Sequence, residues 1–147
     1  MKDKYILTAE SVTAGHPDKL CDTIADSILD ACLKDDPHAR VACEVLATAG
    51  KILVAGELRT TAQPDVEAIV RQTVRQAGYD CNYNVEVRLH TQSPDIAGAV
   101  DGETLGAGDQ GIMYGYACWE TVELLPAPVV LANRITSLLT TCRGTFF

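Results

Sequence analysis

The spacing of apolar positions changes several times along the chain, and each change marks an element. Tyr5 to Val12 reads as a short strand. Gly15-His16-Pro17-Asp18 then opens a helix, since proline suits the first turn and aspartate suits its positive end. Leu20, Cys21, Ile24, Ile28, Cys32 and Leu33 recur at helical spacing, which predicts a helix to about Lys34, ended by Asp36-Pro37. Val41 to Leu46 and Ile52 to Leu58 are strand-like, and Ala49-Gly50 between them predicts a hairpin. A second helix starts near Pro64, with Val66, Ile69, Val70 and Val74 as its inner face and Gly78 as its C-terminal cap.

Val85 to His90 alternates as a half-buried strand does. Residues 92–110 have no period and hold Gly98, Gly102, Gly106 and Gly108, so a long mobile loop is expected there. Gly111 to Trp119 reads as a further strand. A last helix follows Pro126 and Pro128, through Val130, Leu131, Ile135 and Leu138. Strand, helix, hairpin, helix and strand in that order predict an α+β fold, a two-layer sheet-and-helix domain.

Composition narrows the function classes. The chain has 147 residues with 47% hydrophobic, enough for a packed core. Its 12 basic and 20 acidic residues give a net charge of −8. That balance argues against nucleic acid and against an anionic membrane surface as partners. No apolar run is long enough to span a membrane, and the opening Met1-Lys2-Asp3-Lys4 does not read as a signal peptide. The cysteines Cys21, Cys32, Cys43, Cys81, Cys118 and Cys142 form no C-x-x-C pair, so a zinc site is not expected. They read as reduced thiols of a cytoplasmic protein.

Four places could carry chemistry. Gly15-His16-Pro17-Asp18-Lys19 puts a glycine at a helix start, where N–H groups and the dipole favour an anion. His16 can donate there, and Asp18 can hold one vertex of a Mg²⁺ otherwise liganded by water and phosphate. An ordinary acidic helix start with an exposed histidine fits the same residues. Asp22, Asp26 and Asp30 continue the stripe but rotate about 40° per step, which suits a solvated face better than a metal site. Across a two-residue turn Glu44 would face Ala55 and Ala42 would face Glu57, so the carboxylates share one sheet face as diagonal neighbours. They fit a cation-binding pair and a plain polar face equally well. Gly106-Ala-Gly-Asp-Gln-Gly111 has the G-x-G-x-x-G spacing but ends a loop and leads into a strand, so it is no dinucleotide fingerprint. What remains is a backbone that a ligand can approach, presenting Asp109.

Glu10-Ser-Val-Thr-Ala-Gly-His-Pro-Asp-Lys19, Asp36-Pro-His-Ala-Arg-Val-Ala-Cys-Glu44, Gln92-Ser-Pro-Asp-Ile96 and Gly106-Ala-Gly-Asp-Gln-Gly-Ile-Met-Tyr-Gly-Tyr-Ala117, in this order, resemble the S-adenosylmethionine synthetases (methionine adenosyltransferases). The resemblance implies one of three similar, intertwined sheet-and-helix domains, with active sites between two subunits. It implies that S-adenosylmethionine forms from ATP, L-methionine and water, with release of phosphate and diphosphate. It places His16 at the ATP triphosphate as a catalytic residue, Asp18 on Mg²⁺ and Glu44 on K⁺. Glu57 and Gln92 become methionine contacts, and Asp109 lines the methionine and adenosine end. A homo-oligomer, dimer or tetramer, is implied as well.

On this resemblance residues 1–96 form the N-terminal synthetase domain, 97–111 a mobile active-site loop, and 112–147 the truncated start of the central domain. The chain departs from the family at Ala97-Gly98-Ala99-Val100, where Gln-Gly-Val is usual, and at Asn133, where histidine is usual. Arg143 to Phe147 match nothing in the family, as expected of a truncation or a shifted frame. The family's later lysines, arginine and second metal-binding aspartate are missing, so turnover by this chain alone is not expected. A non-catalytic module that holds nucleotide–Mg²⁺ or pairs with a longer subunit is the rival reading. An unstable, self-associating fragment is a third.

Overall fold

The computed structural model describes residues 5–80, 82–91 and 111–142. It divides into two compact units, one of residues 17–111 and one of residues 1–16 with 112–147.

The larger unit begins with helix α1, Pro17–Asp35. Pro17 occupies the first helical position, Asp18 lies in the first turn and Lys34 in the last, each at the end of the macrodipole that favours it. Leu20, Ile24, Ile28 and Cys32, four residues apart, are its buried side chains. Strands β1, Arg40–Thr48, and β2, Lys51–Arg59, form the expected hairpin. Its turn uses Gly50 at φ +71°, a left-handed conformation that glycine adopts without steric cost.

Helix α2, Val66–Gln76, is capped by Asp65, whose carboxylate accepts from the Ala68 N–H at 3.0 Å. Its end is a Schellman-type closure. The Gly78 N–H donates to the Arg75 carbonyl, the Tyr79 N–H donates to the Val74 carbonyl, and Gly78 sits at φ +86°. Strand β3, Asn84–Thr91, pairs parallel with β2, so the sheet order is β1-β2-β3. A parallel return needs a crossover, and α2 supplies it.

One face of the sheet is covered. Ile52 and Val54 are fully buried with Ile24, Ile28, Cys32, Val70 and Val74. Val41, Cys43, Val45, Ala47, Val85 and Leu89 pack against that cluster. Odd positions of β1 and β3 and even positions of β2 therefore face the helices. This is the α+β, two-layer arrangement expected from the sequence.

The smaller unit is built differently. Helix α3, Ala127–Cys142, is its regular element among the described residues. The Ala127 N–H donates to the Glu120 carboxylate at 3.0 Å and so caps it. Arg134 pairs with Glu123 at 2.5 Å, and Ser11 and Thr136 share a hydrogen bond of 3.1 Å. The strands expected at Tyr5–Val12 and Gly111–Trp119 are not formed: residues 5–12 and 111–118 carry no ladder. Tyr5, Ile6, Ile112, Met113 and Tyr114 are almost fully exposed. Such apolar runs suit a strand, but a strand exists only where a neighbour accepts its hydrogen bonds.

Candidate functional site

The uncovered face of the sheet is a grid set by register. Leu46, Leu53 and Glu86 form one row, Glu44, Ala55 and Arg88 the next, and Ala42, Glu57 and His90 the third. Glu44 and Glu57 thus occupy the diagonal positions expected from the two-residue turn. Glu44 is exposed and Glu57 half-buried. The apolar members add an open surface, with Leu46 64% exposed.

Gly56 fixes how closely this grid is drawn together. It lies opposite Cys43 at φ +141°, and a Cβ there would overlap the Ala42 carbonyl oxygen. No other residue type fits that approach without parting β1 from β2. The end of the hairpin is held by Asp36. Its Oδ1 accepts from the His38 N–H at 3.0 Å, and its Oδ2 accepts from the Thr60 hydroxyl at 3.0 Å and the Thr61 N–H at 2.9 Å. These bonds, that of Thr61 foremost, hold the Asp36 carboxyl below the usual carboxylate value. At the opposite end of the sheet Glu86 takes Lys51 at 2.5 Å and Arg88 at 2.8 Å, and the Lys51 hydrogen bond chiefly lowers its carboxyl.

The helix start is the second place. Gly15 is buried, His16 is half-buried, and the His16 N–H closes a turn onto the Thr13 carbonyl at 3.0 Å. Asp18 is exposed in the first turn of α1. One turn on, Cys21 bonds the backbone at Ala47, which places the start of α1 near the closed end of the hairpin. Ala47 pairs with Ile52, and Ile52 to Glu57 spans roughly 17 Å of strand. Asp18 and Glu57 therefore lie toward opposite ends of the sheet, one on its covered side and the other on its open face.

Gln92 and Asp109 lie outside the described residues, as does most of the loop expected at 97–111. Burial raises the thiols of Cys21, Cys32 and Cys43, which suits small core side chains rather than nucleophiles. No cluster of three or more metal-ligating side chains occurs among the described residues. Mg²⁺ does not require one, since it keeps waters and takes one or two carboxylates beside substrate phosphates. Asp18, exposed at a helix N-terminus, fits that demand. No helix among the described residues is long and apolar enough to cross a membrane.

Two residues that shape this region were not singled out by sequence. Asp36 reads there as a helix stop and as the head of one motif segment with no role of its own, yet it ties α1 to the loop after β2. His90 alternates with Glu86 and Arg88, but nothing in that alternation says which strand lies beside it. The parallel pairing with β2 brings it next to Glu57.

Two family models match the chain. Residues 4–103 match the family model of the S-adenosylmethionine synthetase N-terminal domain, and residues 104–146 match that of the central domain. An S-adenosylmethionine synthase of Sulfurovum sp. is 49% identical over 97% of this chain and 40% of its own length. That of Maridesulfovibrio salexigens is 48% identical over 97% of the chain and 39% of its own. That of Acaryochloris marina is 45% identical over 99% of the chain and 40% of its own. The chain spans about 40% of the length of these curated relatives.

Proposed function

Because the chain belongs to the S-adenosylmethionine synthetase family, we propose that it carries part of a site that forms S-adenosylmethionine from ATP and L-methionine, with release of phosphate and diphosphate. The observation that carries this reading is the pair Glu44 and Glu57, diagonal neighbours on one open sheet face. Glu57 takes the ammonium group of methionine, and Gln92 and Asp109 contribute from the segment that follows β3. His16 donates to the triphosphate. The reaction needs no base at sulfur, because a thioether has no proton to lose, so the residues act by holding sulfur in line and by stabilising charge on phosphate oxygens.

Asp18 would hold Mg²⁺, and Glu44 would hold K⁺. When bound, these cations neutralise charge on the phosphate oxygens. Asp18 and Glu57 lie toward opposite ends of the sheet and on opposite sides of it. A site that uses both therefore draws them from two copies, which supports a homo-oligomer of dimer or tetramer type. Residues 97–111 serve as the loop at the site. Residues 1–96 then belong to the N-terminal domain and residues 112–147 begin the central one. The reading of the cysteines as reduced thiols supports a cytoplasmic place of action.

The test is a titration of the chain with tripolyphosphate and Mg²⁺, followed by amide chemical shifts at the start of α1. Asp18→Asn weakens binding by at least about tenfold, the effect of one charge on a divalent ion in a partly desolvated site. Asp26→Asn, on the same helix but rotated about 80° away, leaves it unchanged. Equal effects at both positions contradict the reading, because the acidic stripe then acts as a unit.

A further inference from the structure

Resting on the amino-acid reading above, we infer that His90 binds the carboxylate of the same amino acid whose ammonium group Glu57 takes. Register carries the inference. Glu57 and His90 are direct partners of the parallel β2–β3 pair and share the open face. Neighbouring strands lie about 4.8 Å apart, so the two side chains rise side by side from adjacent backbone. A carboxylate only accepts hydrogen bonds, whereas an imidazole presents an N–H donor in either protonation state. An α-amino acid carries its ammonium and carboxylate on one carbon. An acceptor and a donor one strand apart are complementary to that pair of groups.

The other bases on this face are placed less well. Arg88 lies two residues from His90, across Ala55 from Glu44, and its Nε donates to Glu86 at 2.8 Å. Lys51 also pairs with Glu86, at 2.5 Å, six residues along β2 from Glu57. Glu57 alone would take any amine. With His90 beside it, the site selects amines that bear a carboxylate on the same carbon. His90 is also exposed.

The experiment measures binding of L-methionine, L-methioninol and 4-(methylthio)butanoate to the chain by chemical-shift titration. Methioninol lacks the carboxylate, and 4-(methylthio)butanoate lacks the ammonium group. In the parent chain methionine binds about tenfold or more tightly than methioninol, as one charge-assisted hydrogen bond predicts. His90→Phe brings that ratio to about one but keeps the preference of methionine over 4-(methylthio)butanoate. Glu57→Gln does the reverse, and His90→Asn, which restores an N–H donor, recovers part of the lost ratio. Methionine binding with no advantage over methioninol, or a His90→Phe chain that keeps the advantage, overturns this inference and leaves the amino-acid reading standing. No methionine binding by the parent chain overturns both.

Discussion

The two units bury apolar side chains very differently. In the larger one α1, α2 and the covered sheet face enclose Ile24, Ile28, Ile52, Val54 and Val70 with no exposed surface at all. In the smaller one Val130 is the buried large apolar side chain among the described residues, while Leu131, Ile135, Leu138 and Leu139 of α3 are more than half exposed. Both units have periodic apolar patterns. Pattern alone therefore does not make a core: burial follows only where a second surface meets the first. The larger unit supplies its own second surface, because its helices return over its sheet. Its stability is accordingly concentrated there.

The sharpest break of this contrast is Gly56→Ala. The added Cβ overlaps the Ala42 carbonyl oxygen and lies 3.2 Å from the Cys43 Cα, both backbone atoms that cannot rotate away. The expected cost is at least about 4 kcal/mol. Circular dichroism should show loss of cooperative unfolding, while a soluble, cooperatively melting variant would contradict the close approach. Next comes Ile24→Ala, which empties a fully buried position and should cost about 2–5 kcal/mol in a urea titration. Ile135→Ala, 57% exposed on α3, should change stability by no more than about 0.5 kcal/mol. A larger loss there would mean that α3 is buried in solution.

A smaller effect concerns acid. The folded-state value of Asp36 is depressed below the ordinary 3.8, so its bonds to Thr61, Thr60 and His38 stabilise the fold above that value. That contribution is lost as pH falls through the depressed value. Stability measured from pH 5 downward should therefore fall more steeply in the parent chain than in Asp36→Asn, which has no carboxylate to titrate. Parallel curves would contradict the clamp.

The comparison also says what the sequence made readable. The four-residue repeat of Leu20, Ile24, Ile28 and Cys32 and the turn at Ala49-Gly50 carry their own structure, because helix contacts and hairpin register are local. For that reason the diagonal of Glu44 and Glu57 could be placed before any coordinates. Tyr5–Val12 and Gly111–Trp119 read as strands but form none for the converse reason: a ladder needs a neighbour that an apolar run does not name. The same limit hid His90, whose position beside Glu57 depends on a parallel pairing across the whole of α2. Asp36 was obscured because its partners, Thr60 and Thr61, lie more than 20 residues away. His16, Asp18 and Glu44 lie within the motif segments, Glu57 is placed by the hairpin register, and the chemical roles of all four rest on the family reading.

The most direct test transplants the chain. Residues 5–142 replace the matching segment of the Sulfurovum sp. synthase, and S-adenosylmethionine formation from radiolabelled methionine and ATP is measured. The account predicts an active chimera whose activity falls at least about a hundredfold with Asp18→Asn, the loss of several kcal/mol of charge stabilisation, and is unchanged with Asp26→Asn. A chimera that folds but makes no S-adenosylmethionine, or one indifferent to Asp18, would contradict the claim that this chain carries the family's site.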